Sequence, residues 1–257
     1  MTTNPNPHCA HEFAFQVERL HAALAFRALS ESSAGHEPGL GGKLLYAGSL
    51  DEEARALLVA ANVAGAASLA VSSDAEVSKQ AIRDGVVDFL VTSLDEALRI
   101  LKNEIRKRNT VAVCVATEPG TPEADFARQM LERGVRPDIA RPIEPIPPEA
   151  NQTLLAWSVA SEAARWLPRM DALAIQCLDS DSSRDAATAR RWLQLAPRYL
   201  GRMAQGLRVL RCDEETAARF HAGVRERVER GEIGVSVDLG QSRNGQMEWG
   251  SFAPVSR

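Results

Sequence analysis

Residues 43–53, KLLYAGSLDEE, run from a short apolar stretch straight into a polar turn with acids behind it. Leu44, Leu45, Tyr46 and Ala47 are apolar at both parities, which suits a strand covered on both faces. Ser49-x-x-Glu52 reads as a capping box that opens a helix. The same unit recurs at 67–72 (ASLAVS) with Ser73-x-x-Glu76, and at 86–91 (VVDFLV) with Ser93-x-x-Glu96. The run 110–116 (TVAVCVA) leads into Thr121-Pro122-Glu123, with proline in the first helical turn. Strand, cap and helix in repetition predict a three-layer α/β fold: a mostly parallel sheet with helices on both faces. The loops then collect at the C-terminal edge of the sheet, where open α/β folds bind ligands.

Working outward, residues 1–10 read as a polar tail. Phe13, Val17, Leu20 and Leu24 recur at helical spacing through about Leu29. A Gly- and Ser-rich linker fills 31–42. Helices are expected at 51–64, 74–84, 94–108 and 122–134, followed by a proline-rich connector over 137–149. Beyond it the pattern predicts helix 151–166, strand 171–177 (DALAIQC), helix 185–203, strand 207–212 (LRVLRC) and helix 213–231. Alternation in 234–240 and 246–252 around Asn244-Gly245 predicts a terminal hairpin. The expected organisation is thus an N-terminal tail and helix (1–38), a first α/β half (39–140), a connector (141–150), a second α/β half (151–233) and a hairpin (234–257).

The chain has 257 residues, 45% hydrophobic and 25% charged, with a formal net charge of -4. That balance argues against a dedicated nucleic-acid binder, which concentrates Lys and Arg. Arg225, Arg227 and Arg230 alternate with Glu226, Glu229 and Glu232, the pattern of a solvated helix face. No apolar run of about eighteen residues is present, so no membrane span is expected, and the first residues lack a basic-then-apolar leader. Four widely spaced cysteines (Cys9, Cys114, Cys177, Cys212) suit reduced thiols and a cytoplasmic setting. His8, Cys9, His11 and Glu12 cluster, but no second ligand pair stands at zinc spacing, so no metal site is expected. Cys177 has no histidine in a neighbouring strand-end loop to activate it and reads as a structural thiol. Trp157, Trp166 and Trp192 occupy apolar positions of expected helices, as packing anchors. Acids at strand ends are expected to cap helices. The exception is Asp179-Ser180-Asp181-Ser182, a longer polar loop expected to line a pocket.

Several pieces, in order and spacing, resemble urocanase. They are Leu40-Gly41-Gly42-Lys43-Leu44, Ala61-Asn62-Val63-Ala64-Gly65-Ala66, Val87-Asp88-Phe89 with Ser93-Leu94-Asp95-Glu96-Ala97, and Arg133-Gly134-Val135-Arg136-Pro137-Asp138. A looser likeness continues over 191–231, through Arg191-Trp192-Leu193 and Arg230-Gly231-Glu232. The resemblance implies a Rossmann-like fold, NAD as cofactor, a lyase of histidine breakdown and a homodimer. It also exposes departures. The family's glycine-rich loop after the first strand is reduced here to Gly48, followed by Ser49, Leu50, Asp51, Glu52 and Glu53. Ser72 and Ser73 stand where an acid is expected to hold ribose, with Asp74 as a substitute. Thr117-Glu118-Pro119-Gly120 replaces a Gly-Asn loop, and Arg141-Pro142-Ile143-Glu144-Pro145 replaces a polar substrate-side loop.

The family's catalytic portion has no counterpart, so no catalytic residue is assigned. On the resemblance, Gly48, Ser49, Ser72 and Asp74 are the cofactor-side candidates. Thr117, Glu118, Asp179 and Asp181 are the pocket candidates. The expectation is a Rossmann-like protein without hydratase activity, acting as a small-molecule-binding or interaction module, with NAD implied by the resemblance alone. The alternatives are an NAD-dependent hydratase-type lyase, a nucleotide-binding subunit of one, or an unrelated small-molecule sensor.

Overall fold

The computed structural model describes residues 7–31, 39–120, 123–178, 184–201, 204, 206–243 and 246–254. Helix α1 (Pro7–Glu31) is followed by β1 (Leu44–Ser49), α2 (Glu52–Ala64), β2 (Ala67–Ser72), α3 (Ala75–Asp84), β3 (Phe89–Val91), α4 (Leu94–Lys107), β4 (Val111–Ala116), α5 (Glu123–Glu132) and β5 (Ile139–Ala140). Then come β6 (Gln152–Val159), α6 (Ala163–Leu178), α7 (Arg184–Tyr199), β7 (Leu207–Asp213), α8 (Glu214–Glu229), β8 (Val237–Arg243) and β9 (Gln246–Phe252). The chain divides into two compact units, one made of Arg19–Ile146 with Arg198–Met203, the other of Met1–Glu18, Pro147–Pro197 and Ala204–Arg257.

In the first unit five strands form a parallel sheet in the order β3-β4-β2-β1-β5. Leu44, Tyr46, Leu69, Val71, Val113 and Val115 point to one face, where α4 and α5 cover them with Leu98, Leu101, Phe126 and Met130. Leu45, Ala47, Ala70 and Cys114 point to the other face and are equally buried. Both parities are apolar because both faces are covered. Helix α2 is buried from Ala56 through Ala64, and Gly65 closes it in the left-handed conformation. The β1–β2 register slips between Tyr46 and Gly48, so Ala47 is an extra residue in the ladder. Such bulges re-aim the backbone beside them, here at the C-terminal end of β1.

The helix caps differ from the sequence reading at two of three positions. Ser93 caps α4, accepting from the Glu96 N–H. At α2 and α3 the caps are Asp51 and Asp74 rather than Ser49 and Ser73. A carboxylate one or two residues downstream reaches the same free N–H groups, carries charge toward the positive helix end, and wins. The Thr121-Pro122 start of α5 lies outside the described residues.

The second unit departs further from expectation. It holds a four-stranded antiparallel sheet, β7-β6-β8-β9, instead of a continuation of the parallel one. Residues 152–159, expected as helix, form its central strand. Residues 171–177, expected as strand, lie inside α6, with Trp166, Leu167, Met170, Leu173, Ala174 and Leu178 buried. A short apolar run fits either period, and what decides is which neighbours cover it. Leu154, Leu155, Ala156 and Trp157 are flanked by strands on both sides and buried at both parities. Trp157 is therefore a strand residue, tilted against Phe220 of α8 at 4.8 Å between ring centroids. Strand 207–212, helix 213–231 and the terminal hairpin stand close to where they were expected, although the Asn244-Gly245 turn lies outside the described residues. Residues 7–10, expected in the tail, are already helical. Glu18 of α1, 3% exposed, takes a two-pronged ion pair from Arg211 of β7 at 2.8 and 3.1 Å.

Candidate functional site

Helices α3 and α5 leave the adjacent strands β2 and β4 toward opposite faces of the parallel sheet. The Cys114 face is that of Ser78 in α3, and the opposite face is that of α5. Open α/β sheets place their ligand crevice at such a divergence. A cleft of about 150 Å³ lies there, lined by Ser49, Leu50, Ser72, Asp74, Thr117 and Glu123 among others. Of the residues singled out from sequence, Ser49, Ser72, Asp74 and Thr117 come together at this cleft, and Gly48 sits immediately behind it. Glu118 is exposed and stands apart from the lining. Asp179 and Asp181 lie outside the described residues. Cys177 sits on α6 and not at a strand end, with burial raising its thiol pKa against the nearby charges of Arg219 and Arg227.

The residue that organises the cleft was not singled out. Glu123, in the first turn of α5, accepts from the Ser49 backbone N–H at 3.0 Å and from the Ser49 hydroxyl at 2.8 Å. Gly48 has φ +74, and any Cβ there would collide with the Glu123 carboxylate. Glycine is needed at this position both for the left-handed backbone and for the close approach of the acid. Tyr46 lies beneath. Its ring stacks on Phe126 of α5 at 6.3 Å, and its buried hydroxyl has no hydrogen-bond partner among the described residues. Burial first, and the Glu123 charge second, push the phenol well above its ordinary pKa.

Arg141 is the second residue that sequence reasoning missed. Its guanidinium clasps Asp51 through two hydrogen bonds of 2.7 Å and lies 4.0 Å from Glu53. Of the acids after Gly48, Asp51 and Glu53 are thus partly neutralised by a cation from the loop after β5. Partial burial of Asp51 favours its neutral form. The Arg141 and Ala54 hydrogen bonds and the Arg141 charge outweigh it and hold the carboxyl below its ordinary value of 3.8. A depressed carboxylate stabilises the fold above its unfolded pKa and ceases to do so as pH falls through the folded one. Asp51→Asn keeps a good cap and removes the charge. Because Asp51 is about half exposed, the expected cost at neutral pH is about 0.2–1 kcal/mol. Urea melts at descending pH should show wild type and variant converging below about pH 3.8; a constant gap would refute the ionic origin.

Ser72 and Asp74 are occupied by local structure. The Ser72 hydroxyl bonds both the N–H and the C=O of Asp74, and Asp74 Oδ1 accepts from the Glu76 and Val77 N–H groups. Among the described residues no group of three or more His, Cys, Asp or Glu could hold a metal ion. Likewise, no described helix is long and apolar enough to cross a membrane.

Residues 25–142 match the family model for the urocanase Rossmann-like domain. This segment is similar to the urocanase Rossmann-like domain. It runs from within α1 to just past β5 and so contains the whole parallel sheet. The urocanase resemblance implies NAD, and the residues at its phosphate end do not fit that cofactor. The Ser49 N–H and hydroxyl that a pyrophosphate would need are taken by Glu123. A phosphate beside that carboxylate would meet a repulsion of about 4 kcal/mol at 4 Å and an effective dielectric near 20.

Proposed function

We propose that this chain uses its urocanase-like Rossmann domain as a small-molecule-binding or interaction module, without hydratase activity and without NAD. One observation carries the reading: the domain supplies its own anion, Glu123, to the turn that would otherwise receive the cofactor's phosphate. At the C-terminal strand edge a small cleft of hydroxyls and carboxylates stays open to a ligand. Function resides in such sites and not in the fold that carries them. Cys114 and Cys212 are buried free thiols, in keeping with a cytoplasmic setting, and the resemblance to urocanase suggests a homodimer.

The test is a titration of NAD followed by melting temperature, alongside urocanate turnover with and without NAD. A ligand that binds the folded state raises stability with its concentration, by about 2.7 kcal/mol at a hundred times its dissociation constant. The expected result is no shift up to millimolar NAD and no loss of urocanate. A saturable rise would favour a nucleotide-binding subunit of a lyase, and turnover would make the protein the lyase itself.

A further inference from the structure

We infer that the turn between β1 and α2 is an anion site held shut by Glu123, and that a small tetrahedral oxyanion enters it when that carboxylate is withdrawn. The inference rests on the reading of Glu123 as the occupant of the phosphate position and adds that the site itself is intact.

Four features support it. An anion is already seated there, since the Glu123 carboxylate takes both donors of Ser49. Gly48 leaves the space that this close approach requires, because the carboxylate lies where a Cβ would stand. The Tyr46 hydroxyl, on a side chain 7% exposed, is a buried donor without a partner among the described residues, close enough to Glu123 to feel its charge. Arg141 brings a cation whose field reaches Asp51, Glu53 and Glu123 alike. The Ser49 amide and hydroxyl and the Tyr46 phenol are donors suited to phosphate oxygens, and the guanidinium, its terminal N–H groups held by Asp51, contributes its positive field. Glu123 is itself exposed and lies in the first turn of its helix, so it can leave by changing rotamer while α5 stays seated on Phe126 and Met130.

The experiment titrates inorganic phosphate into wild type and Glu123→Ala, reading melting temperature and the Ser49 amide resonance. Potassium chloride at matched ionic strength serves as the control, because phosphate also stabilises folded proteins by exclusion from their surface. The wild type should show no saturable response. E123A should bind phosphate at least about tenfold more tightly, with a saturable rise in melting temperature and a shifted Ser49 amide. Adding Ser49→Ala should abolish the gain. A cooperatively folded E123A that answers phosphate no differently from chloride overturns the inference. Should E123A not fold, Glu123→Gln keeps an acceptor but loses the charge. It should then bind phosphate more tightly than wild type, and a flat response would again overturn the inference. Failure here leaves the NAD reading standing, whereas NAD binding by the wild type would overturn that reading separately.

Discussion

Asp171→Ala is expected to cost about 3–5 kcal/mol, a large share of the roughly 5–15 kcal/mol that holds a domain folded. Asp171 lies on α6 beneath the antiparallel sheet. It accepts from Arg208 Nε of β7 at 3.0 Å and from the indole N–H of Trp157 on β6 at 3.3 Å. Trp157 and Arg208 face each other in the β6–β7 register, so one carboxylate joins a helix to two strands. Both members of the ion pair are nearly inaccessible, at 12% and 14% exposure. Burial pushes the Asp171 carboxyl upward, while the Arg208 charge and the two hydrogen bonds pull it back. Removing the acid leaves a guanidinium and an indole N–H without their partner inside the protein, and that uncompensated charge dominates the loss. The measure is the urea midpoint at unchanged slope. Replacing Asp171 and Arg208 together by apolar residues of similar size should recover most of the loss. A single-variant cost below about 1 kcal/mol would mean that water reaches the pair and screens it.

Phe126→Ala is expected to cost a further about 3–5 kcal/mol in the Rossmann domain, the usual range for emptying a buried aromatic site. Phe126 and Met130 are the buried residues of α5, and Phe126 also lines the cleft and stacks on Tyr46. Glu123 precedes Phe126 by three residues on the same face of the helix, so the ring anchors the turn from which the carboxylate reaches Ser49. The substitution should therefore lower the denaturation midpoint and also speed hydrogen exchange at the Ser49 amide. Phe126→Leu should keep most of both. If Ser49 exchange stayed unchanged while stability fell, Glu123 would be held by something other than the seating of α5.

Residues 43–116 were the legible part of this protein. There each strand is apolar at both parities, and each helix starts within a few residues of an acid or serine cap, so local patterns and tertiary environment agree. Residues 151–178 were misread because LLAW and DALAIQC suit a strand or a helix equally by composition. The outcome depended on cover from β7, β8 and α8, contributed by chain 30 or more residues away. The cap assignments failed more mildly, since Ser49 and Asp51 both lie within reach of the same helix start and only the backbone course selects between them.

The candidate site shows the same division. Gly48, Ser49, Ser72 and Asp74 were named through the resemblance to urocanase and Thr117 as a pocket candidate; each lies at or just past the end of an apolar strand, and in a parallel sheet strand ends share an edge. Glu123 and Arg141 could not, because their partners Ser49 and Asp51 lie 74 and 90 residues away. An acid in a first helical turn and an arginine in a proline-rich loop carry no local mark of such pairing. The sequence alone determined a parallel α/β scaffold with its candidate ligand edge at the ends of β1, β2 and β4, through patterns that each short segment carries by itself. Only the tertiary structure decided what occupies that edge. The β1 bulge, the left-handed Gly48 and the seating of α5 on Tyr46 together bring one carboxylate onto the Ser49 amide, and no segment encodes that meeting alone.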